Sequence, residues 1–224
     1  VAAVVTVLVT LLVPAQMASQ NWDDHDRSNR YSARDFGANY LKSCDKEAII
    51  FCNGDNDTFP LWYNIEVEEE RNDVRACNLS YLQTDWYIDQ MKRPYYNSPG
   101  LPISWEYKDY MPGKNEIAWV ENRLHAPLEV SKAFQFLLSD DPRTKRDGEG
   151  YIPSDQLYVL SPDSQKIMFK KARRFTRSEM MVMEMLSTNE WKRPMYFAVT
   201  IGNDYHLGLD PYLELTGMAY RITP

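Results

Sequence analysis

The chain has 224 residues, a formal net charge of -7, a sequence pI near 5.1, and 44% hydrophobic and 13% aromatic residues. This composition supplies enough apolar material for a core, which excludes a disordered chain. The acidic balance argues against a nucleic-acid partner, because phosphate binding requires clustered Lys and Arg.

The first segment of the chain is apolar. Residues 1–13 contain no charged side chain. As a helix they rise only about 20 Å, which is short of the hydrocarbon core of about 30 Å. We therefore expect residues 1–14 to be the end of a transmembrane helix that starts upstream. The core of a signal peptide is the alternative, since Val13-Pro14-Ala15 resembles a cleavage site.

Residues 15–30 are predicted to be a polar connector next to the membrane. No Lys or Arg precedes Arg27, and positive residues prefer the cytoplasmic side, so we expect the connector on the extracytoplasmic side. Its polar side chains form a candidate network that would supply metal ligands or a general acid and base if an irregular loop held them together. A solvated linker is the alternative. The residues are Asn21, Asp23, Asp24, His25, Asp26 and Arg27.

Residues 31–224 are expected to form one extracytoplasmic α/β domain. Its first half alternates strands with helices at a spacing typical of two βα units, which predicts a parallel sheet with right-handed crossovers. In chain order the elements are a helix from Ser32, a strand at 48–52, a helix at 59–71, a strand at 73–79 and a helix from Thr84 or Asp85 to Pro94.

The second half of the domain starts with residues 95–150, which are rich in Pro, Gly, Tyr and Asp. We expect a loop-rich insertion there, with one helix near 128–138. Further strands are predicted at 155–160 and 193–201, separated by a helix around 178–187. The fold class that follows is α/β, Rossmann-like, with a mostly parallel sheet of about four to five strands and flanking helices, preceded by the end of a transmembrane helix.

The three cysteines are Cys44, Cys52 and Cys77, and no CxxC spacing occurs among them. This spacing argues against a zinc site. We interpret Cys52 and Cys77 as small apolar core residues on neighbouring strands. A disulfide between these two is the alternative, and it requires correctly facing Cβ atoms.

The candidate ligand-binding residues lie in the loops after three predicted strands. If the strands are parallel, these loops emerge at one edge of the sheet, where α/β folds bind ligands. Aromatic rings beside Asp and Asn side chains suit a sugar, whose C–H faces pack on rings while its hydroxyls bond to amides and carboxylates. Helix capping by Asp57 and Asp85 is the alternative. The candidates are Asp55, Asn56, Asp57, Thr58, Asn78, Asp85, Trp86, Asn203, Asp204 and His206.

Asp55 and Asp57 also form an isolated DxD motif. Carboxylates at this spacing make a divalent cation possible, although no cofactor is required by the sequence. No P-loop, GxGxxG, GxSxG or HExxH motif occurs. We therefore assign no catalytic residue.

Five segments carry a resemblance to a known family. In chain order they are NWDDHDRSNRYSARDFGANYL, AIIFCNGDNDTFPLWY, VRACNLSYLQTDWYIDQM, WKRPMYFAVT and LGLDPYLELTGMAYR. Together they closely resemble bacterial membrane proteins related to the transmembrane protein 260 type of O-mannosyltransferase. Such proteins are multi-pass glycosyltransferases of the GT-C class, followed by an extracytoplasmic soluble region. The resemblance spans the chain and implies the last membrane segment plus the start of that region.

The resemblance also implies where the chemistry lies. The catalytic carboxylate is expected in an early outward-facing loop outside this chain, and the donor is expected to be a lipid-linked sugar. The implied location is the bacterial inner membrane, with residues after about 15 on the periplasmic side. The domain would then recognise a protein or glycan acceptor rather than catalyse. An autonomous, metal-assisted sugar-binding or sugar-transferring domain and a structural scaffold without a ligand are the alternatives.

Overall fold

The computed structural model describes residues 1–224, which form seven α-helices and twelve strands. The helices are α1 (Ala2–His25), α2 (Ser32–Lys42), α3 (Asp55–Glu66), α4 (Asp85–Met91), α5 (Tyr107–Tyr110), α6 (Val130–Leu138) and α7 (Arg177–Asn189). The strands are β1 (Ile49–Cys52), β2 (Arg75–Asn78), β3 (Ile117–Val120), β4 (Leu128–Glu129), β5 (Lys145–Arg146), β6 (Glu149–Ile152), β7 (Leu157–Leu160), β8 (Lys166–Met168), β9 (Arg174–Thr176), β10 (Met195–Ala198), β11 (Leu213–Thr216) and β12 (Ala219–Ile222).

The largest sheet has five strands in the order β11-β12-β10-β1-β2. Its interior strand β1, which lies next to the edge strand β2, is buried over its whole length. It pairs in parallel with β10 on one side and with β2 on the other. An unbroken apolar run is typical of a strand that is covered on both faces of the sheet, and IIFC fits that position.

The predicted fold class is wrong, because the sheets are mixed and there are three of them. Only β10, β1 and β2 run parallel in the main sheet, whereas β12 is antiparallel to both β10 and β11. The strand expected at 155–160 forms as β7 but lies in a separate sheet with β4 and β8. A further sheet joins β5, β6, β3 and β9. Strands of two to four residues leave too short a pattern in the sequence to indicate their partners.

The antiparallel edge of the main sheet is a tight hairpin. Thr216 pairs with Ala219, so only Gly217 and Met218 form the turn between β11 and β12. Gly217 has φ of 62°, a conformation that favours glycine in two-residue hairpins. The Met218 N–H donates to Ser43 Oγ at 2.9 Å, which fixes the hairpin to the end of α2.

Helices α2 and α3 pack closely against each other. Gly37 is buried on α2, and a Cβ atom placed there would lie 2.6 Å from Asn64 Nδ2 and closer still to the Pro60 carbonyl oxygen. Asn64 Nδ2 donates to the Arg34 carbonyl oxygen at 2.9 Å and to the Pro60 carbonyl oxygen at 2.8 Å. The side chain of Asn64 therefore joins the two helices at the point where their backbones are closest.

Helix α1 stands apart from the domain, and none of its residues is buried. It is long and apolar enough to cross a membrane, with a mean hydropathy of 1.9, although a signal sequence satisfies the same criteria. The helix continues to His25 and so includes residues 15–25, which we expected in the connector. This apolar helix fits a membrane protein.

The three cysteines are free thiols in the core. Phe51 pairs with Cys77, and Cys52 pairs with Asn78, so Cys52 and Cys77 point to opposite faces of the sheet. This geometry cannot form a disulfide. Burial raises the pKa of Cys44 and of Cys52 to about 12, and it also raises the pKa of Cys77.

We expect the folded protein to resist thiol alkylation at about pH 8, because the reactive species is the thiolate. The folded-state pKa of each thiol lies above its unfolded value of about 8.5. The thiols therefore contribute stability that is fully present below that pH and is lost as the pH rises towards about 12. Mass spectrometry after iodoacetamide treatment, with and without concentrated urea, measures the alkylation of each cysteine. Alkylation of Cys44, Cys52 or Cys77 at the same rate in both conditions would contradict the burial.

Candidate functional site

The first turn of α3 points the two carboxylates of the DxD motif in different directions. Helix α3 begins at Asp55, directly after Gly54. Residues two apart on a helix point about 200° away from each other, so Asp55 is exposed and Asp57 is buried. The two carboxylates do not face a common point. No group of three or more His, Cys, Asp or Glu side chains is arranged to hold a metal ion.

Thr58 and Asn78 form a buried hydrogen-bonded link between the loops after β1 and β2. Asn78 Nδ2 donates to Thr58 Oγ1 at 2.7 Å, and Thr58 Oγ1 donates to the Gly54 carbonyl oxygen at 2.7 Å. The backbone N–H of Tyr81 donates to Asn78 Oδ1 at 3.0 Å. The structure thus brings these two predicted residues together, but their polar atoms are used inside the protein.

Asp57 lies beneath the same loop, and its Oδ1 atom is buried without a hydrogen-bond partner. The pKa of Tyr40 is raised mainly by burial, and the charge of Asp57 raises it further. Tyr40 Oη lies 3.0 Å from Thr200 Oγ1 in the loop after β10. Asp57 is therefore a buried carboxylate in the first turn of α3, close enough to Tyr40 of α2 for its charge to act on the Tyr40 hydroxyl.

The loop after β10 does not join the other two through its predicted residues. Asn203 and Asp204 are exposed, whereas His206 is buried. The His206 ring packs beside Phe197 with centroids 5.1 Å apart, and its Nδ1 lies 2.9 Å from Asp210 Oδ1. The prediction that all three loops converge on one ligand has no support in these contacts.

The candidate polar network at residues 21–27 lies at the end of α1 and in the turn after it. His25 Nδ1 lies 2.9 Å from the Asn21 carbonyl oxygen, within the helix. Asp26 Oδ1 accepts from the Ser28 N–H at 2.9 Å, and hydrogen bonds to Ser28 lower the pKa of Asp26. Asp23, Asp24, Asp26 and Arg27 are exposed. The segment makes only local hydrogen bonds and lies outside the domain core.

An aromatic row runs along α3, the turn after β2 and the start of α4. Neighbouring rings in this row have centroids between 5.5 and 6.1 Å apart. Asp85, the first residue of α4, accepts from the Tyr107 hydroxyl at 3.0 Å, while Trp86 beside it is exposed. The aromatic row consists of Phe59, Trp62, Tyr81, Trp86 and Tyr87.

The aromatic row borders a cavity of about 230 Å³, which we call the β2-edge pocket. β2 is the outer strand of the main sheet, so the backbone on its far side is not covered by another strand. On that side the Asn78 N–H donates to the Tyr87 hydroxyl at 2.9 Å. The pocket is lined by Trp62, Ile65, Glu66, Asn72, Val74, Arg75, Ala76, Tyr87, Gln90, Met91, Tyr95 and Ser98.

The polar groups of the pocket come from β2, α3 and the turn after α4. Arg75 is only 4% exposed, and burial lowers its pKa. Its Nη2 donates to the Gln90 carbonyl oxygen at 3.0 Å and to the Arg93 carbonyl oxygen at 3.1 Å. Glu66 Oε2 accepts from the Tyr95 hydroxyl at 2.9 Å. Aromatic walls with a few fixed polar groups are typical of a recognition site for a small ring-shaped ligand.

The sequence analysis named Trp86, which belongs to the aromatic row. It did not name Trp62, Arg75 or Tyr95, which line the pocket. One signal was available, since an arginine at the start of a buried strand needs an explanation. The pocket itself depends on which strand lies at the edge of the sheet, and that follows from tertiary pairing. No pair of side chains in the pocket forms a nucleophile and base.

Comparisons with known proteins place the chain in a family. Neither the curated proteins nor the solved structures give a match. A family model described as TMEM260-associated domain 2 matches residues 33–172 and 160–224, which together span almost all of the chain after α1. The match confirms the expected relationship to TMEM260-type proteins. The chain therefore belongs to the family of TMEM260-associated domain 2.

Proposed function

We propose that this chain is the extracytoplasmic recognition domain of a membrane glycosyltransferase related to protein O-mannosyltransferases. In this proposal it binds the glycan or protein acceptor and holds it near a membrane active site elsewhere in the full-length protein. The family membership supports a role within a TMEM260-type protein. The apolar helix α1 supports attachment to a membrane.

The observation that carries the proposal is the β2-edge pocket beside the aromatic row. Trp62 and Tyr81 are stacked with an interplanar angle of 19°, and Trp86 presents an exposed ring at the end of the row. Sugars bind such surfaces through their apolar C–H faces, while their hydroxyls reach amides, carboxylates and backbone groups. Glu66, Asn72 and Gln90 supply those groups in the pocket.

The setting of the domain is part of the same proposal. No positive residue precedes Arg27, which supports an extracytoplasmic domain at the bacterial inner membrane. A lipid-linked sugar would be the donor in the full-length protein. Asp55 is exposed and Asp57 is buried, so the two carboxylates do not support binding of one metal ion by both. We therefore propose recognition, rather than metal-assisted transfer, as the role of this chain.

A glycan array probed with the full chain in detergent tests this function. We expect Trp62→Ala and Trp86→Ala each to weaken binding about tenfold, because losing one ring contact costs about 1–2 kcal/mol. Trp119→Ala is the matched control, since Trp119 is 53% exposed and Trp86 is 55% exposed, but Trp119 lies on β3 in another sheet.

Two results would contradict this assignment. Absence of binding to every glycan and to acceptor peptides would remove the recognition role. Loss of binding in Trp119→Ala with full binding in Trp62→Ala would move the site away from the β2-edge pocket.

A further inference from the structure

Two arginines near the β2-edge pocket, the buried Arg75 and the half-buried Arg193, form no ion pair with an acidic side chain. Arg75 is 4% exposed, and neither it nor Arg193 takes part in any of the protein's salt bridges. Buried charges in proteins are normally paired with an opposite charge or an ion. The buried guanidinium group of Arg75, which has no ion pair, therefore calls for an explanation.

Arg193 is satisfied by neutral groups. It donates to the Glu47 carbonyl oxygen at 2.8 Å and to Ser98 Oγ at 3.1 Å. Ser98 lines the pocket, so this bond places the Arg193 guanidinium directly behind the pocket wall. Burial, and to a smaller extent the charge of Arg75, lowers the pKa of Arg193 to about 10. The charge of Arg75 thus acts on Arg193 behind the pocket wall.

Arg75 has unused hydrogen-bonding capacity. Its Nη2 is satisfied by backbone carbonyl groups, but its Nε and Nη1 atoms are buried without any partner. The Tyr95 ring covers the guanidinium, with its centroid 5.3 Å from Arg75 Cζ. An arginine keeps its charge at any physiological pH, so the unpaired N–H groups belong to a charged donor.

The acidic groups around the pocket offset these two charges only in part, since Glu66 acts on Arg75 and Glu47 acts on Arg193 without forming an ion pair. Glu66 is the only acidic residue that lines it, and it lies at the exposed rim. Its Oε2 atom already accepts from the Tyr95 and Tyr96 hydroxyls, each at 2.9 Å. The buried base of the pocket therefore holds the cation Arg75, whereas the one carboxylate of the lining lies at the exposed rim. A buried cation without an ion pair favours an anionic ligand there.

We propose that the β2-edge pocket binds an acidic sugar, whose carboxylate pairs with Arg75 and whose ring packs on Trp62. The sugar part of this inference rests on the proposed function, whereas the anion part rests on Arg75 and Arg193 alone. Tyr95 acts as the cover of the site. Its ring turns aside when the carboxylate reaches the unpaired Nε and Nη1 atoms of Arg75, and its exposed position on the turn after α4 leaves room for that movement.

Calorimetric titration of the full chain in detergent with glucuronate, glucose and acetate tests the inference. We expect glucuronate to bind at least about tenfold more tightly than glucose, since hydrogen bonds to a charged group contribute about 1.5–3 kcal/mol. Arg75→Gln should remove this preference, whereas Arg173→Gln should keep it, because Arg173 is exposed, precedes β9 in a different sheet and does not line the pocket.

A second measurement does not depend on the folding of Arg75→Gln. In ¹⁵N-labelled wild-type protein the Arg75 Nε–H resonance, assigned by its absence in Arg75→Lys, should move on addition of glucuronate. Movement with glucuronate but not with glucose supports the inference. Equal affinity for glucose and glucuronate, or an unmoved Nε–H resonance, overturns the inference of an acidic-sugar site. The proposed recognition of sugars is then tested separately by the glycan array. Equal effects of acetate and glucuronate support the anion site and count against the proposed sugar recognition.

Discussion

Replacing Asn78 with alanine is expected to lower the free energy of unfolding by about 2–4 kcal/mol. The substitution removes the donor to Thr58 Oγ1 and the acceptor of the Tyr81 N–H. Both bonds are buried or nearly so, and no water reaches Thr58, which is fully buried. The loops after β1 and β2 would lose the link that holds them together. Urea unfolding followed by circular dichroism measures the change.

Asp55→Ala is the matched control for Asn78→Ala, because both residues were predicted as ligands from the same sheet edge. Asp55 is exposed in the first turn of α3, where a carboxylate stabilises a helix by about 0.3–1 kcal/mol. We therefore expect a small loss in this variant. A stable Asn78→Ala protein that has lost glycan binding would show that Asn78 contacts the ligand, contrary to the role described above.

Gly37→Ala is expected to destabilise the protein by about 1–3 kcal/mol. In most helices this replacement is stabilising by about 1 kcal/mol, because alanine is the better helix former. Here the new methyl group would collide with the Pro60 carbonyl oxygen and lie 2.6 Å from Asn64 Nδ2. The bonds that join α2 to α3 would have to lengthen. The sign of the change in unfolding free energy thus reports how closely the two helices pack.

Gly202→Ala serves as the control for this second prediction. A Cβ atom at Gly202 meets nothing within 4 Å, and its φ of -64° suits any residue. We expect a change within about 1 kcal/mol, in the stabilising direction. If Gly37→Ala proved as stable as the wild type, the close contact between α2 and α3 would be wrong.

Most helices of this domain could be predicted from local patterns. The helix expected near 128–138 forms as α6, and the helix expected around 178–187 forms as α7. Thr176 and Glu179 form a capping box that starts α7, a signal visible in sequence. The strands β1 and β2 were also predicted, because apolar runs bounded by loops identify buried strands.

The sheet topology could not be predicted in the same way. After β10 the chain forms a 3₁₀ turn at Asp210–Tyr212, followed by the hairpin of β11 and β12. That hairpin gives the main sheet its antiparallel edge. The strands β4 and β5 have two residues each, and such short strands are stabilised by their partners rather than by their own sequence. Long-range pairing therefore decided the fold class.

The candidate site, too, could be predicted only in part from local sequence. Polar residues after β1 and β2 were expected to meet, and Thr58 does bond to Asn78. Local sequence did not indicate that this contact is buried, nor that the exposed chemistry lies beside β2. The pocket combines α3, β2 and α4 with Tyr95, and only the position of β2 at the sheet edge brings them together.

Fluorine NMR of the full chain labelled with 5-fluorotryptophan tests the central proposal most directly. The six tryptophans give six resonances, and each is assigned by substitution. On addition of a mixture of neutral and acidic oligosaccharides, we expect the Trp62 and Trp86 resonances to shift, while those of Trp105 and Trp119 stay in place. An unchanged spectrum, or a shift confined to Trp119, would contradict recognition at the β2-edge pocket.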